Sequence, residues 1–532
     1  MWRGSVKHKS CPRLKRFLQG IILASAPVIA GGAWAEQVTL KSSDGTVNLI
    51  GDLISFADDN YIIRTDMGDL RIAANRVRCE GEGCPQIAAM TGDVVIAGSD
   101  TIGEGLMPLM MDGFSTFLNA EVKKENASVE GEFVASFVAE QGFGDAIGSY
   151  LVSATTSADA FAKLMEGSAQ IGMSSRRITP DEARALKNAG AGNMIDPTQE
   201  HIIAVDSLVV IVNPENSVSE LSIADLKKIY TGEITNWAEV GGPDLAISLV
   251  TRTEDVGTFG VFSAGVLGEN TKVATTAFVA ADNNTAAAFV NDNPGGIAFV
   301  GYAFQRGQKP LTLISECGLG TTPDAFSVKT EEYALFRRLY LYNRGDLDSA
   351  LARQFLDFAS SSTADAVIQQ AGFINLGVEL QVNDMTNPRA VSLKASDANS
   401  LEKKVIAEML AELEVSDRLS STFRFRTGSS ELDPRGQRDL ALLTDYLAAL
   451  PEGAKITFVG FSDNFGEFEP NRSLSKGRAA EVEKAIKALA GNRLANVTFN
   501  AIGFGEIAPA ACNNSDLGRS INRRVETWIS KG

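Results

Sequence analysis

Four short segments of this chain place hydroxyl groups where an apolar run gives way to a polar turn: Gly98-Ser99-Asp100-Thr101, Ser153-Ala154-Thr155-Thr156-Ser157, Ser174-Ser175-Arg176-Arg177 and Arg252-Thr253-Glu254-Asp255-Val256-Gly257-Thr258. A strand that ends in such a turn and opens a helix presents unpaired backbone N–H groups with partial positive charge, and hydroxyls add further donors. Taken singly, each segment reads as an ordinary helix cap. Taken together, Ser99, Asp100, Thr101, Thr155, Thr156, Ser157, Ser174, Ser175, Gly257 and Thr258 form a donor-rich set suited to a small oxyanion, with Arg252 as its charge-assisted bidentate partner. Arg176 and Arg177 either reach the same site or lie on the surface. Catalysis fits less well, because a reactive hydroxyl needs a base beside it. Past residue 35, His201 is the sole histidine, and no Gly-x-Ser-x-Gly elbow is present. The expected chemistry is noncovalent capture, with no metal and no cofactor.

A second constellation lies near the C-terminus. Asp463 follows an apolar run ending at Gly460, and Arg478 stands 15 positions later on an amphipathic stretch. An acid and a base so placed either bridge across the turn or present opposite charges to a zwitterionic ligand. Between them, Asn471 either caps the helix or touches that ligand. Arg523 and Arg524 either line the same pocket or pack on a sheet.

The elements that must hold these groups follow from periodicity. Residues 36–90 alternate apolar and polar positions in short runs broken at Asp44-Gly45, Asp58-Asp59-Asn60 and Met67-Gly68, which predicts a small antiparallel β module. From 91 to 376, strands alternate with helices; the continuous apolar run Leu208–Val212, ended by Asn213-Pro214, predicts a buried strand. Residues 377–418 read as a linker ending in a helix, with Leu401, Val405 and Met409 on one face and Asn399 and Glu402 as a capping box. From 419 to 532 a further α/β domain is expected, its helices carrying Leu440, Leu443 and Leu447, then Leu474, Val482, Ile486 and Leu489. The fold class is therefore multidomain α/β.

Residues 1–35 combine a basic stretch, an apolar run centred on Ile21–Ala30 and Ala33-Trp34-Ala35, which predicts a cleaved secretory signal peptide. Its removal takes six Lys/Arg and no Asp/Glu, so the net charge of −17 becomes −23. Such a surface opposes nucleic acid and anionic membranes, and an anion site must be built locally. Of the cysteines that remain, Cys79 and Cys84 are near enough in sequence for a local disulfide in an oxidising compartment. Cys317 and Cys512 are far apart, and their pairing is left open. A Cys-x4-Cys metal site lacks further ligands.

The four anion-type segments, in this order, resemble those of PstS-type phosphate-binding proteins of ABC importers, as do Leu226-Lys227-Lys228-Ile229-Tyr230-Thr231-Gly232-Glu233-Ile234-Thr235-Asn236-Trp237 and Asn293-Pro294-Gly295-Gly296-Ile297-Ala298-Phe299-Val300. The resemblance implies a two-lobe periplasmic-binding-protein fold of type II, with crossing strands near Leu208–Val212 and Leu339–Tyr342 and phosphate held between the lobes. Ser99, Asp100 and Thr101 match that family's first turn; Arg252, Gly257 and Thr258 match its Arg-x4-Gly-Thr segment. Two turns depart from it. Ala154 takes a serine's place, leaving Thr155, Thr156 or Ser157 to substitute, and Ser175 stands where a carboxylate accepts the proton of hydrogen phosphate. Asp100, Glu254 and Asp255 could each supply that acceptor, which excludes sulfate because sulfate has no proton to share.

Gly460, Asp463, Gly466, Asn471, Leu474-Ser475-x-x-Arg478-Ala479 and Asn522-Arg523-Arg524-Val525-Glu526 resemble the OmpA-like peptidoglycan-binding domain, an α/β sandwich. By that resemblance Asp463 binds the ammonium and Arg478 the carboxylate of a diaminopimelate stem peptide, with Asn471 and Arg523 nearby. Ser462 replaces the family's Thr and Phe461 a common His. The function implied is capture of phosphate or a similar oxyanion for an inner-membrane ABC importer by a periplasmic, peptidoglycan-associated protein, at the outer membrane or free of it. A wall-linked structural or anion-sensing protein is the alternative, and a phosphate-ester hydrolase a weaker one.

Overall fold

The computed structural model describes residues 37–530 apart from 42–47, 58–59, 82, 86–89, 128, 130, 141–143, 255, 269, 306, 384–392, 394–398, 426–428, 430–431, 433 and 452, with backbone alone at 75, 78, 434, 435 and 437. The signal peptide expected over 1–35 and the acceptor candidate Asp255 lie outside the described residues. No helix among the described residues is long and apolar enough to cross a membrane.

The N-terminal strands pair antiparallel in the order Gly68–Ala73, Asn60–Thr65, Asn48–Ala57, Gln37–Lys41, Arg78–Glu80. Their period-two pattern turns Val38, Leu40, Tyr61 and Ile63 to one small core. Cys79 and Cys84 are disulfide-bonded at the end of the last strand.

One continuous sheet runs through both lobes of the middle region. The first lobe contributes Ala120–Asn126, Glu132–Ala139, Ala146–Thr155, Val94–Ser99 and Ile171–Ser174; the second contributes Gly296–Gly301, Ser248–Thr251 and Phe278–Val279. Two antiparallel strands cross between them. Glu200–Val212 pairs with Phe336–Asn343 through Ser207, then with Gly296–Gly301 from Leu208 onward. The crossings thus contain the segments expected for them and start earlier in the chain. Each lobe has its own core: Ile96, Met110, Phe114, Tyr150 and Phe355 in the first, Leu226, Tyr230, Trp237, Phe262 and Phe299 in the second.

In the C-terminal sheet the order is Leu380–Gln381, Ser416–Arg424, Arg524–Ser530, Lys455–Gly460, Thr498–Gly503. Helices Pro434–Ala448 and Phe468–Ala490 bury Leu440, Leu443, Leu447, Val482 and Ile486 against one face. The helix Ser400–Glu414 covers the other through Val405, Met409 and Leu413, packed on Val459, Phe461 and Trp528. Residues 377–418 thus include a strand and a helix built into this sheet. Asn399 and Glu402 form the reciprocal cap expected of them. Leu401 and Leu489 differ from expectation: both are exposed, at helix ends where the apolar stripe has turned away from the sheet.

The C-terminal domain docks against both lobes. Arg438 donates to the carbonyls of Ile202 and Ser360 on the first lobe's side. Arg418 makes a two-pronged bond to Glu332 at 2.7 and 3.1 Å, and Arg424 pairs with Glu331 and the carbonyl of Thr330, all three on the second lobe. Cys317 and Cys512, left open by the sequence, are bonded to each other across this contact. A crosslink spanning 195 positions removes chain entropy worth roughly 5 kcal/mol from the unfolded ensemble. After cleavage at a protease site engineered between residues 384 and 392, the two halves should run as one species without reductant and as two with it. Two bands without reductant in denaturing gels would refute the crosslink.

Candidate functional site

The first lobe supplies three turns. Ser99 ends its strand buried, and Asp100 opens the short helix Asp100–Gly103 with Oδ1 accepting from the Thr101 N–H at 2.7 Å. Gly98 sits at φ +132°, and a side-chain carbon there would fall 2.2 Å from the carbonyl oxygen of Met173; only glycine lets the first and third turns approach. Ser157 Oγ accepts from the Ser175 N–H at 3.0 Å and lies 3.2 Å from Ser175 Oγ, which ties the second turn to the third.

The second lobe supplies Arg252, at the end of Ser248–Thr251, and the helix Gly257–Phe262. A side-chain carbon on Gly257 would fall 2.3 Å from Ser175 Oγ, so the lobes meet here and glycine is required for it. Arg252 is 3% exposed. Its Nη2 donates to the Ala281 carbonyl at 2.8 Å and lies 3.7 Å from Asp100 Oδ2. Its Nε and Nη1, with Ser99 Oγ and Thr155 Oγ1, are buried and find no hydrogen-bond partner among the described residues. Burial pulls the Arg252 pKa below its ordinary value, and Asp100 opposes that pull. A buried guanidinium with two donating nitrogens unused is costly unless an anion completes it.

Two expected contributors have other partners. Thr156 is the cap of the helix Ser157–Glu166: its oxygen accepts from the Asp159 N–H, and Asp159 returns the bond. Ser174 Oγ donates to the Arg176 carbonyl at 2.7 Å within its own turn. A hydroxyl does either task with the same chemistry, which is why sequence could not sort them. Arg176 and Arg177 are spoken for as well, by Glu182 and Glu200. Of the acceptor candidates, Glu254 is exposed, whereas Asp100 stands beside Arg252.

Sequence reasoning missed two groups. Arg337, on the second crossing strand, is buried with Nη1 3.4 Å from Thr258 Oγ1 and Nη2 3.4 Å from Thr101 Oγ1. Asp206, on the first, binds the same guanidinium through Oδ2 at 2.6 and 2.8 Å. The signal was a charge inside an otherwise apolar strand.

His201 stands apart from these hydroxyls in its bonding, with Nε2 2.7 Å from Asn343 Oδ1.

The C-terminal pocket assembles Asp463, Arg478 and Arg523. Asp463 leaves the strand Lys455–Gly460 and is held by Arg523 Nη1 at 2.6 Å; the salt bridge is to Arg523, not to Arg478. Arg478, buried on Phe468–Ala490, donates through Nε to the Ser429 carbonyl and lies over the Phe425 ring. Burial, with Arg523 adding repulsion, pushes its pKa down to about 10, so it stays cationic at neutral pH. Asn471 lies inside the helix, where a cap reading fails: its amide donates to the Asp463 carbonyl and to Glu506, bracing the loop that carries the acid. Arg524 turns away and pairs with Glu526 inside the sheet at 2.7 Å. One acceptor and two guanidiniums so close suit a ligand bearing both an ammonium and a carboxylate.

Residues 85–363 match the PBP superfamily domain and residues 424–523 the OmpA family. The phosphate-binding protein PstS of Bacillus subtilis (strain 168) is 30% identical over 224 residues, covering 42% of this chain and 70% of that protein. An ABC-type phosphate transport receptor from Vibrio cholerae is 24% identical, with a TM-score of 0.39 over 53% of this chain and 98% of its own. The peptidoglycan-associated lipoprotein from Burkholderia pseudomallei is 26% identical, with a TM-score of 0.19 over 20% of this chain and 89% of its own.

Proposed function

The chain belongs to the PBP superfamily and ends in an OmpA-family domain, and from that premise we propose that it captures inorganic phosphate in the cell envelope while its C-terminal domain grips peptidoglycan. The observation that carries the phosphate half is the buried Arg252, with Nε and Nη1 unpartnered among the described residues and Nη2 3.7 Å from Asp100 of the other lobe. The name of the Bacillus subtilis relative agrees with it. Capture is noncovalent. We read the site as Ser99, Asp100, Thr101, Thr155, Ser157, Ser175, Arg252, Gly257 and Thr258. Delivery to an inner-membrane ABC importer is the role we assign, with export through the signal peptide and a periplasmic location against the wall. Calorimetry with the mature chain should give tight binding of phosphate and much weaker binding of sulfate; absence of heat with phosphate would overturn the reading. Failure to restore uptake in a strain lacking its phosphate carrier would leave a wall-linked anion sensor instead. Release of phosphate from esters by the pure protein would favour a hydrolase.

Selectivity depends on Asp100. Its Oδ1 is occupied by the Thr101 N–H, which leaves Oδ2, beside Arg252, to accept the proton of hydrogen phosphate. Asp100→Asn should weaken phosphate and strengthen sulfate, each by about tenfold, because the repulsion against an unprotonated oxyanion is gone. Unchanged discrimination in the same titrations would remove Asp100 from this role.

A further inference from the structure

Arg337 is held in a fixed plane inside the protein. Its Nε and Nη2 both donate to Asp206 Oδ2, at 2.8 and 2.6 Å, while Asp206 Oδ1 accepts from the Tyr302 N–H at 3.1 Å. Both side chains are almost fully buried. With the guanidinium fixed on that edge, its outer nitrogens reach two hydroxyls: Thr101, from the first lobe, and Thr258, from the second. A hydroxyl has a single hydrogen, and an oxygen that accepts from a guanidinium keeps that hydrogen to donate. Arg337 thus leaves Thr258 its hydrogen to donate, the polarity that an oxyanion requires, while Thr101, which accepts from the same guanidinium, turns its own hydrogen to Asp100 Oδ1 at 3.4 Å.

We propose that Arg337 is a positioning residue of the anion site, which orients one hydroxyl from each lobe from its place on a crossing strand and thereby ties affinity to closure. The inference rests on the oxyanion reading above. Thr101 moves with the first lobe and Thr258 with the second, so the guanidinium reaches both when the lobes are closed. Asp206 has the complementary task of keeping the buried charge compensated, which prevents Arg337 from binding the anion outright.

A role in charge compensation alone is separable from this one by a mutant cycle read with inorganic phosphate by calorimetry. Arg337→Lys keeps a cation for Asp206, but one ammonium cannot span both hydroxyls; binding should weaken about 30-fold. Thr258→Val should weaken it about tenfold. The double variant should be no weaker than Arg337→Lys by more than about twofold, because both changes remove the same interaction. Small-angle scattering should show the wild type contracting on addition of phosphate and Arg337→Lys contracting less. Binding by Arg337→Lys within twofold of wild type, or losses that multiply to about 300-fold in the double variant, would overturn the inference alone. No heat from wild type with phosphate would overturn the oxyanion reading and this inference with it.

Discussion

Arg252→Met should raise the phosphate dissociation constant by about a hundredfold or more, while the thermal midpoint of the ligand-free protein stays level or rises. The two halves of that expectation have one cause. Arg252 is buried with only Nη2 engaged, on the Ala281 carbonyl and at 3.7 Å from Asp100, and the remaining donors find no partner among the described residues. In the ligand-free fold the guanidinium is therefore a desolvated charge that receives little in return, and an apolar side chain of similar length is no worse there. With an oxyanion bound, the same nitrogens make charge-assisted bonds in a water-poor cleft, where removing one partner costs about 2–5 kcal/mol. Calorimetry and thermal melts on one preparation test both halves. Retained phosphate affinity would remove Arg252 from the site, and a large drop in the ligand-free midpoint would show that the arginine serves the fold instead.

What could be read from the sequence here divides along physical lines. Strand-to-turn hydroxyls were legible because a strand end followed by Ser, Thr or Asp is a local pattern, and Gly257 was picked out through the resemblance of Arg252, Gly257 and Thr258 to an Arg-x4-Gly-Thr segment, not for the close approach to Ser175 that the structure shows. Which hydroxyl caps and which faces the cleft was not legible: Thr156 and Ser157 are adjacent, yet one caps through Asp159 and the other receives the Ser175 N–H. Asp206 and Arg337 are 131 positions apart, and their pairing depends on the antiparallel register that sets them opposite each other across the crossing strands. Asp206 did interrupt the apolar run from Ile202 to Val212, which is the trace such a buried charge leaves.

The domain contact was hidden for a related reason. Nothing in the sequence marks Arg418, Arg424, Glu331 and Glu332 as a contact, because a residue type does not reveal whether its partner comes from another domain. The same ambiguity covered Cys317 and Cys512. By contrast the sequence grouped Asp463, Arg478 and Arg523, which belong to one compact unit; it missed that Asn471 braces the loop rather than capping the helix, and which arginine holds Asp463.

That last point fixes the order of effects expected at the wall. In this form Asp463 is occupied by Arg523 at 2.6 Å, so an incoming ammonium must take Arg523's place on the carboxylate. The displaced guanidinium is then free to join Arg478 on the ligand's carboxylate, and the exchange conserves charge pairing throughout. Asp463→Asn removes the acceptor and leaves Arg523 without its anion. Arg478→Ala removes the buried cation held on the Ser429 carbonyl for the ligand's carboxylate. Each should abolish sedimentation with purified peptidoglycan, a loss of about 50-fold or more in affinity. Arg523→Ala should cost only about three- to tenfold, because it removes a donor to the ligand and also the group that competes for Asp463. Free diaminopimelate should release the wild type from the pellet. If Arg523→Ala proved as damaging as Arg478→Ala, the exchange would be wrong and Arg523 would be a fixed contact; if Asp463→Asn still sedimented fully, the pocket would not be the site that grips the wall.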